Sequence, residues 1–204
     1  MMTISTGSTI YLRDAEGRIT PYVIERVETP VPGRLSQRDP RWAGIQLFED
    51  HRCTIGSDGC LITCMAMMLG RRDVGEWHDV LRAARWFVTN TAYVRLDLSQ
   101  WGATLVGLSD LYDTSHFPDA WTARLLAHLR AGKPAILGVD FSPWPQDAQY
   151  GEHYVLATGI EGDTIQIADP WPVPDASEVA NTLVPRYGAT NTIALCRALL
   201  YELR

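Results

Sequence analysis

Residues 54–69, TIGSDGCLITCMAMML, constrain the chain more than any other stretch. A small polar loop, Gly56-Ser57-Asp58-Gly59, runs directly into an apolar segment that opens with Cys60. Leu61, Cys64, Met65 and Met68 recur at helical spacing, and Gly70 supplies a stop, so a buried helix is predicted here. Cys60 then falls on the first turn. A helix N-terminus carries unpaired N–H groups and partial positive charge. Both favour a thiolate, which is the nucleophilic form of cysteine. The same residue type also packs as a small buried hydrophobe, so this stretch alone leaves both roles open.

The rest of the chain narrows the setting. With 204 residues and 46% apolar content, one domain with a real core is expected, plus at most a small appendage. The net charge of −6 argues against nucleic acid as a partner. No stretch approaches the roughly 18 apolar residues that span a bilayer, so no membrane insertion is expected. No basic end followed by an apolar run opens the sequence, so no signal peptide is expected. The expected location is the cytoplasm or a phage particle, with action at the cell envelope.

Four cysteines are present: Cys53, Cys60, Cys64 and Cys196. Their spacing is not a CxxC zinc pattern, and a zinc site would need His51 as well. Free thiols are the better reading, with neither metal nor cofactor. Residues 1–33 form an N-terminal extension: a β-hairpin from 8–13 and 19–27, then a Pro-rich linker at 30–33. A two-stranded unit is marginal alone, so it is expected to dock on the domain or on a protein partner.

The main domain, 34–204, opens with SQRDPRWA, a loop pinned by Pro40 and Trp42. Gln37 there is either an ordinary loop residue or an amide donor facing an oxyanion. Asp73 and Glu76 read as the capping box of a second helix. Trp77, Val80, Leu81, Ala84 and Val88 form its core stripe, with His78 and Arg82 on the solvated side. Residues 103–108 read as a strand. Asp119 caps a third helix, with Trp121, Leu125, Leu126 and Leu129 facing inward, His128 at the surface and Gly132 as stop. Residues 134–141 are a continuous apolar run, hence a central strand. Residues 142–152 have the composition of a functional loop, in which Trp144 and Tyr150 are candidates for substrate contact. Residues 173–190 read as loop with a short helix near Glu178, and 193–201 as either strand or helix.

A hairpin follows from 153–159 and 163–168. If Ile160 to Gly162 form its loop, Gly159 pairs with Asp163 and His153 lies opposite Asp169 on one face. The carboxylate would then orient the imidazole. A two-residue Gly162-Asp163 turn would put them on opposite faces.

Three separated pieces now form a set: Gln37-x-Asp39-Pro40-x-Trp42, then Thr54-Ile55-Gly56-x-x-Gly59-Cys60-x-Ile62-Thr63, then His153-Tyr154-Val155 with Asp169-Pro170. In this order they resemble the C39-like family of papain-fold cysteine peptidases, over about residues 35–172. The resemblance implies an α+β, papain-like fold with the nucleophile helix packed on an antiparallel sheet. It also implies Cys60 as nucleophile, His153 as general base and acid, Asp169 as orienting residue and Gln37 as oxyanion donor. The expected function is cysteine peptidase or amidase, acting on a protein, a peptide or bacterial cell-wall (peptidoglycan) peptides. Two other functions use the same residues: an idle papain-like domain serving as a structural or binding component, as in a phage particle, and an acyltransferase with an amine as acceptor.

Overall fold

The computed structural model describes residues 34–49, 52–86, 96–110, 119–140, 152–161, 164–171, 183 and 195–204, with the strand backbones of 9–13 and 19–23. Two compact units result, Met1–Val31 and Pro32–Arg204. The first holds an antiparallel pair, β1 (Thr9–Arg13) and β2 (Ile19–Val23), in the register Thr9↔Val23 to Arg13↔Ile19.

The second unit is α+β. Its helices are α1 (Ile55–Asp58), α2 (Cys60–Met68), α3 (Val74–Ala83) and α4 (Asp119–Arg130). Its strands are β3 (Ala103–Asp110), β4 (Ala135–Asp140), β5 (Glu152–Glu161), β6 (Thr164–Ala168) and β7 (Leu195–Leu203). They form one sheet in the order β3-β7-β4-β5-β6, with every neighbouring pair antiparallel. Leu195–Leu203, within and just beyond the 193–201 stretch left open between strand and helix in sequence, thus supply an inner strand.

The sheet is covered on both faces, which is why β4 reads as an unbroken apolar run. On one face Ile136, Tyr154, Leu156, Ala168, Leu199 and Tyr201 join the cluster built on α2 and α3. On the other, Leu137, Val139, Val155, Ala157, Ile165 and Ile167 pack with Leu125 and Leu129 of α4. Helix α2 is buried all round from Ile62 to Met68, rather than on the single stripe expected, because α3 and the loop at Leu35 cover the side that the sheet does not. Gly138 pairs with Tyr154 on one side and Arg197 on the other. Without a side chain between them, the buried Arg197 guanidinium reaches the Tyr154 hydroxyl across β4.

Several sequence expectations need correction. Residues 56–58 are helical, not loop: Thr54 and Ser57 form a reciprocal capping box that starts α1. In α3 the Asp73 cap is present, and Trp77 and Leu81 are buried. Val80, however, is 40% exposed and Ala84 is exposed, because α3 covers α2 with a narrower stripe than its apolar residues suggest. His78 is buried, not solvated. The Phe48 N–H donates to its Nε2 at 3.0 Å, and the two rings stack. His128 is half-buried, its Nε2–H donating to the carbonyls of Pro134 and Tyr201. Loop residues 142–151 with Trp144 and Tyr150, residues 173–182 with Glu178, and His51 and Val88 lie outside the described residues.

His78 carries a pH consequence. Its Nε2 accepts a hydrogen bond, so the folded state needs the neutral ring. Burial holds its pKa below the ordinary 6.5, an effect the adjacent Asp79 partly opposes. The folded chain therefore binds fewer protons than the unfolded chain just below that value. Stability is fully present above about pH 6.5 and falls as pH drops toward the lower folded value. His128, also lowered chiefly by burial, acts with the same sign. Lowering pH from 7.5 to 5.5 should reduce Tm, and His78→Gln, which keeps an acceptor but does not titrate, should shrink that drop. Identical pH slopes for the two proteins would contradict this. Protonation also releases Phe48, whose φ of 51° is a strained value outside glycine.

Candidate active site

Cys60 is presented by a break between two helices. Helix α1 ends at Gly59, whose N–H returns to the Ile55 carbonyl at 2.9 Å. The chain then restarts as α2 with Cys60 as its first residue. Gly59's own carbonyl takes two donors, the Thr63 N–H at 3.0 Å and the Thr63 hydroxyl at 2.8 Å. The junction leaves no room for a side chain: a Cβ on Gly59 would stand 2.4 Å from the Ile55 oxygen. Gly59→Ala should therefore cost about 3 kcal/mol or more and lower Tm by several degrees. A Tm unchanged within 2 °C, by roughly that scale, would show that the junction can relax.

Cys64 lies four residues, just over one turn, along α2, about 6 Å further down the axis. Its thiol donates to the Tyr154 carbonyl at 3.3 Å, seating α2 against β5 beside His153. Burial pushes the Cys64 thiol well up, and the proximity of Cys60 and Asp169 pushes it the same way. It is thus a protonated anchor within electrostatic reach of both residues. Cys60 itself is partly buried and, like Cys53 and Cys64, makes no disulfide.

His153 and Asp169 meet through an irregularity in the hairpin. Glu161 pairs with Thr164, so the paired strands come within two residues of each other in sequence. The expected Gly159–Asp163 pairing is not formed. The two-residue turn alone would send the two side chains to opposite faces. Between Ala157 and Gly159, however, the register shifts by one at Thr158: Gly159 pairs with Gln166 but Ala157 with Ile167. A β-bulge of this kind exchanges the faces beyond it. Asp169, one residue past β6, thereby falls on His153's face as a diagonal neighbour, not directly opposite. His153 Nε2–H donates to Asp169 Oδ1 at 2.8 Å, and both residues are buried. That tautomer leaves the basic lone pair on Nδ1. The Trp171 N–H donates to the same carboxylate oxygen at 2.8 Å.

Gln37 joins the Cys60 segment to the Asp169–Pro170 segment. Its backbone N–H donates to the Pro170 carbonyl at 2.9 Å. Its side-chain Nε2 donates to the Gly56 carbonyl at 3.1 Å and reaches that of Ser57 at 3.4 Å. Gln37 is buried, and its Oε1 has no hydrogen-bond partner among the described residues. One residue thus stands a single hydrogen bond from both the approach to Cys60 and the residue after Asp169. Trp42, also buried, holds this loop through its indole N–H to the Ser36 carbonyl at 2.8 Å.

These pieces coincide with a known pattern. The model of the Peptidase_C39 like family matches residues 35–194. The chain belongs to this family. Neither curated proteins nor solved structures give a match. Membership in the Peptidase_C39 like family supports a cysteine-peptidase type of function with a peptide as substrate. The matched segment lies within the Pro32–Arg204 unit, and the β1–β2 pair lies outside it. Among the described residues, no helix is long and apolar enough to cross a membrane.

Two neighbours of the site were not singled out from sequence. The Trp171 ring stands edge-on to His153, at 6.3 Å between centroids and 82°. Arg38 lies with its guanidinium 3.6 Å from the Trp171 ring centroid. An aromatic two residues after Asp169 was a usable signal for the first. Arg38 gave none, because only folding brings it to Trp171.

Proposed function

We propose that the protein is a cysteine peptidase or amidase of papain-like design, in which Cys60, His153 and Asp169 form the catalytic triad. The observation that carries this reading is the Gln37 bridge between the Cys60 approach and the Asp169–Pro170 segment, combined with the buried His153–Asp169 hydrogen bond.

In the proposed mechanism, Asp169 holds His153 with Nε2 protonated, so Nδ1 takes the proton of the Cys60 thiol. The thiolate attacks the acyl carbon of the substrate. The carbonyl oxygen becomes an oxyanion and is held by the Cys60 backbone N–H and the Gln37 amide. The Gln37–Ser57 contact is at the outer limit of hydrogen bonding, so that Nε2 hydrogen is the one given to the oxyanion. Imidazolium then protonates the leaving amine. Water, deprotonated by His153, clears the thioester and restores the thiol. The substrate class is a peptide, including the peptide part of bacterial cell wall. Residues 1–33 are proposed to dock a protein partner.

Incubating the purified full chain with a peptide library and with peptidoglycan fragments tests the reading. Cleavage of either, blocked by a thiol alkylator mapped to Cys60, supports it. Intact substrates together with an unlabelled Cys60 would leave the idle, structural role.

A further inference from the structure

Arg38 is an exposed cation at the edge of the proposed site with no carboxylate partner among the described residues. Its sequence neighbour Asp39 does not neutralise it, because Asp39 is engaged by Arg41 through two hydrogen bonds of 2.8 and 3.0 Å. Arg38 instead lies over Trp171, its guanidinium carbon 3.6 Å from the centroid of the ring that meets His153 edge-on. Its backbone N–H is tied to the Ser36 hydroxyl at 3.1 Å, and the adjacent Gln37 is fixed at both ends. A guanidinium over an aromatic face keeps N–H donors that can take a bidentate carboxylate. Arg34 adds a second cation to the same segment, its Nε–H donating to the Asp169 carbonyl at 3.4 Å. On a chain of net charge −6, residues 34–38 thus bring two cations to the neighbourhood of Asp169 and Trp171.

We propose that Arg38, presented by Trp171, recognises a carboxylate on a substrate residue flanking the scissile bond, so that the enzyme selects acidic peptides. The inference rests on the peptidase reading above and names its substrate class. Arg38 acts as a specificity residue: it binds substrate and takes no part in the proton transfers. The contact is exposed, so its contribution falls as salt rises.

The test is cleavage of a randomised peptide library by the full-length protein, with sites and rates read by mass spectrometry. The wild type should favour Asp or Glu over Asn or Gln at a position beside the cut by roughly tenfold in kcat/KM. Arg38→Gln should abolish that ratio, and Arg38→Glu should turn it toward Lys and Arg. Raising salt from 50 to 500 mM should compress the wild-type ratio, about a threefold change in screening length. Cleavage with no acidic preference, or a preference that survives Arg38→Gln, overturns this inference while leaving the peptidase reading intact. A protein that cleaves no peptide and whose Cys60 resists a thiol-directed probe removes both.

Discussion

Replacing Cys60 with alanine is expected to lower peptide turnover by at least about 10⁴-fold, because no other group can form the acyl intermediate at that position. The two other described thiols do not substitute for it. Cys64 is a buried donor to the Tyr154 carbonyl, and burial holds it protonated. Cys53 lies in the segment before the α1 cap, its carbonyl accepting from the Leu47 N–H. The fold should barely notice the change. Cys60 is only partly buried, and losing one sulfur there costs about 1 kcal/mol or less, or a few degrees of Tm. Turnover measured beside a thermal melt separates these effects. Retained turnover in Cys60→Ala would defeat the nucleophile assignment, and a collapsed melt would mark the residue as structural.

Asp169→Ala is expected to fail on both counts. The carboxylate is buried and accepts from His153 Nε2–H and from the Trp171 N–H through one oxygen. Truncation leaves the buried His153 donor and the partly buried Trp171 N–H unsatisfied, a cost of about 2 kcal/mol or more. It also frees the His153 ring to rotate and to change tautomer, so kcat should drop by about 10²–10³-fold. Asp169→Asn separates position from charge. Its amide oxygen can still accept from His153, so the orientation survives while the negative charge that stabilises imidazolium is lost. Recovery of most of the lost kcat and Tm by asparagine would show that Asp169 works mainly by holding the ring. Recovery of Tm alone would show that its charge matters to the reaction. Full activity in Asp169→Ala would remove it from the mechanism.

Much of the candidate site was legible before folding, since the residues proposed for it sit in short contiguous motifs. Gly59-Cys60 leads into an apolar helix, His153 opens a strand, and Asp169 precedes a proline. These are local patterns, and local patterns survive in a sequence. What was misread lies where packing overrules local preference. His78 follows the polar side of a helical wheel, yet it is buried because the loop at Phe48 folds over it and supplies a donor and a stacking partner. Val80 carries an apolar side chain, yet it faces solvent because α3 presents Trp77 and Leu81 to α2 instead.

The hairpin shows the boundary most sharply. From sequence alone, the strand types, the approximate turn and the residues His153 and Asp169 were all determined, since alternation and Gly placement report directly on backbone geometry. The face on which each side chain emerges was not. It depends on whether the residues between them are paired an even or an odd number of times, and one bulged residue changes the answer. The extra residue at Thr158 is selected by the whole sheet. It lets the α4 side keep Val155, Ala157, Ile165 and Ile167 in its core while the α2 side keeps Tyr154, Leu156 and Ala168. Two buried faces, each demanding its own row of side chains, decide a register that no single strand can specify.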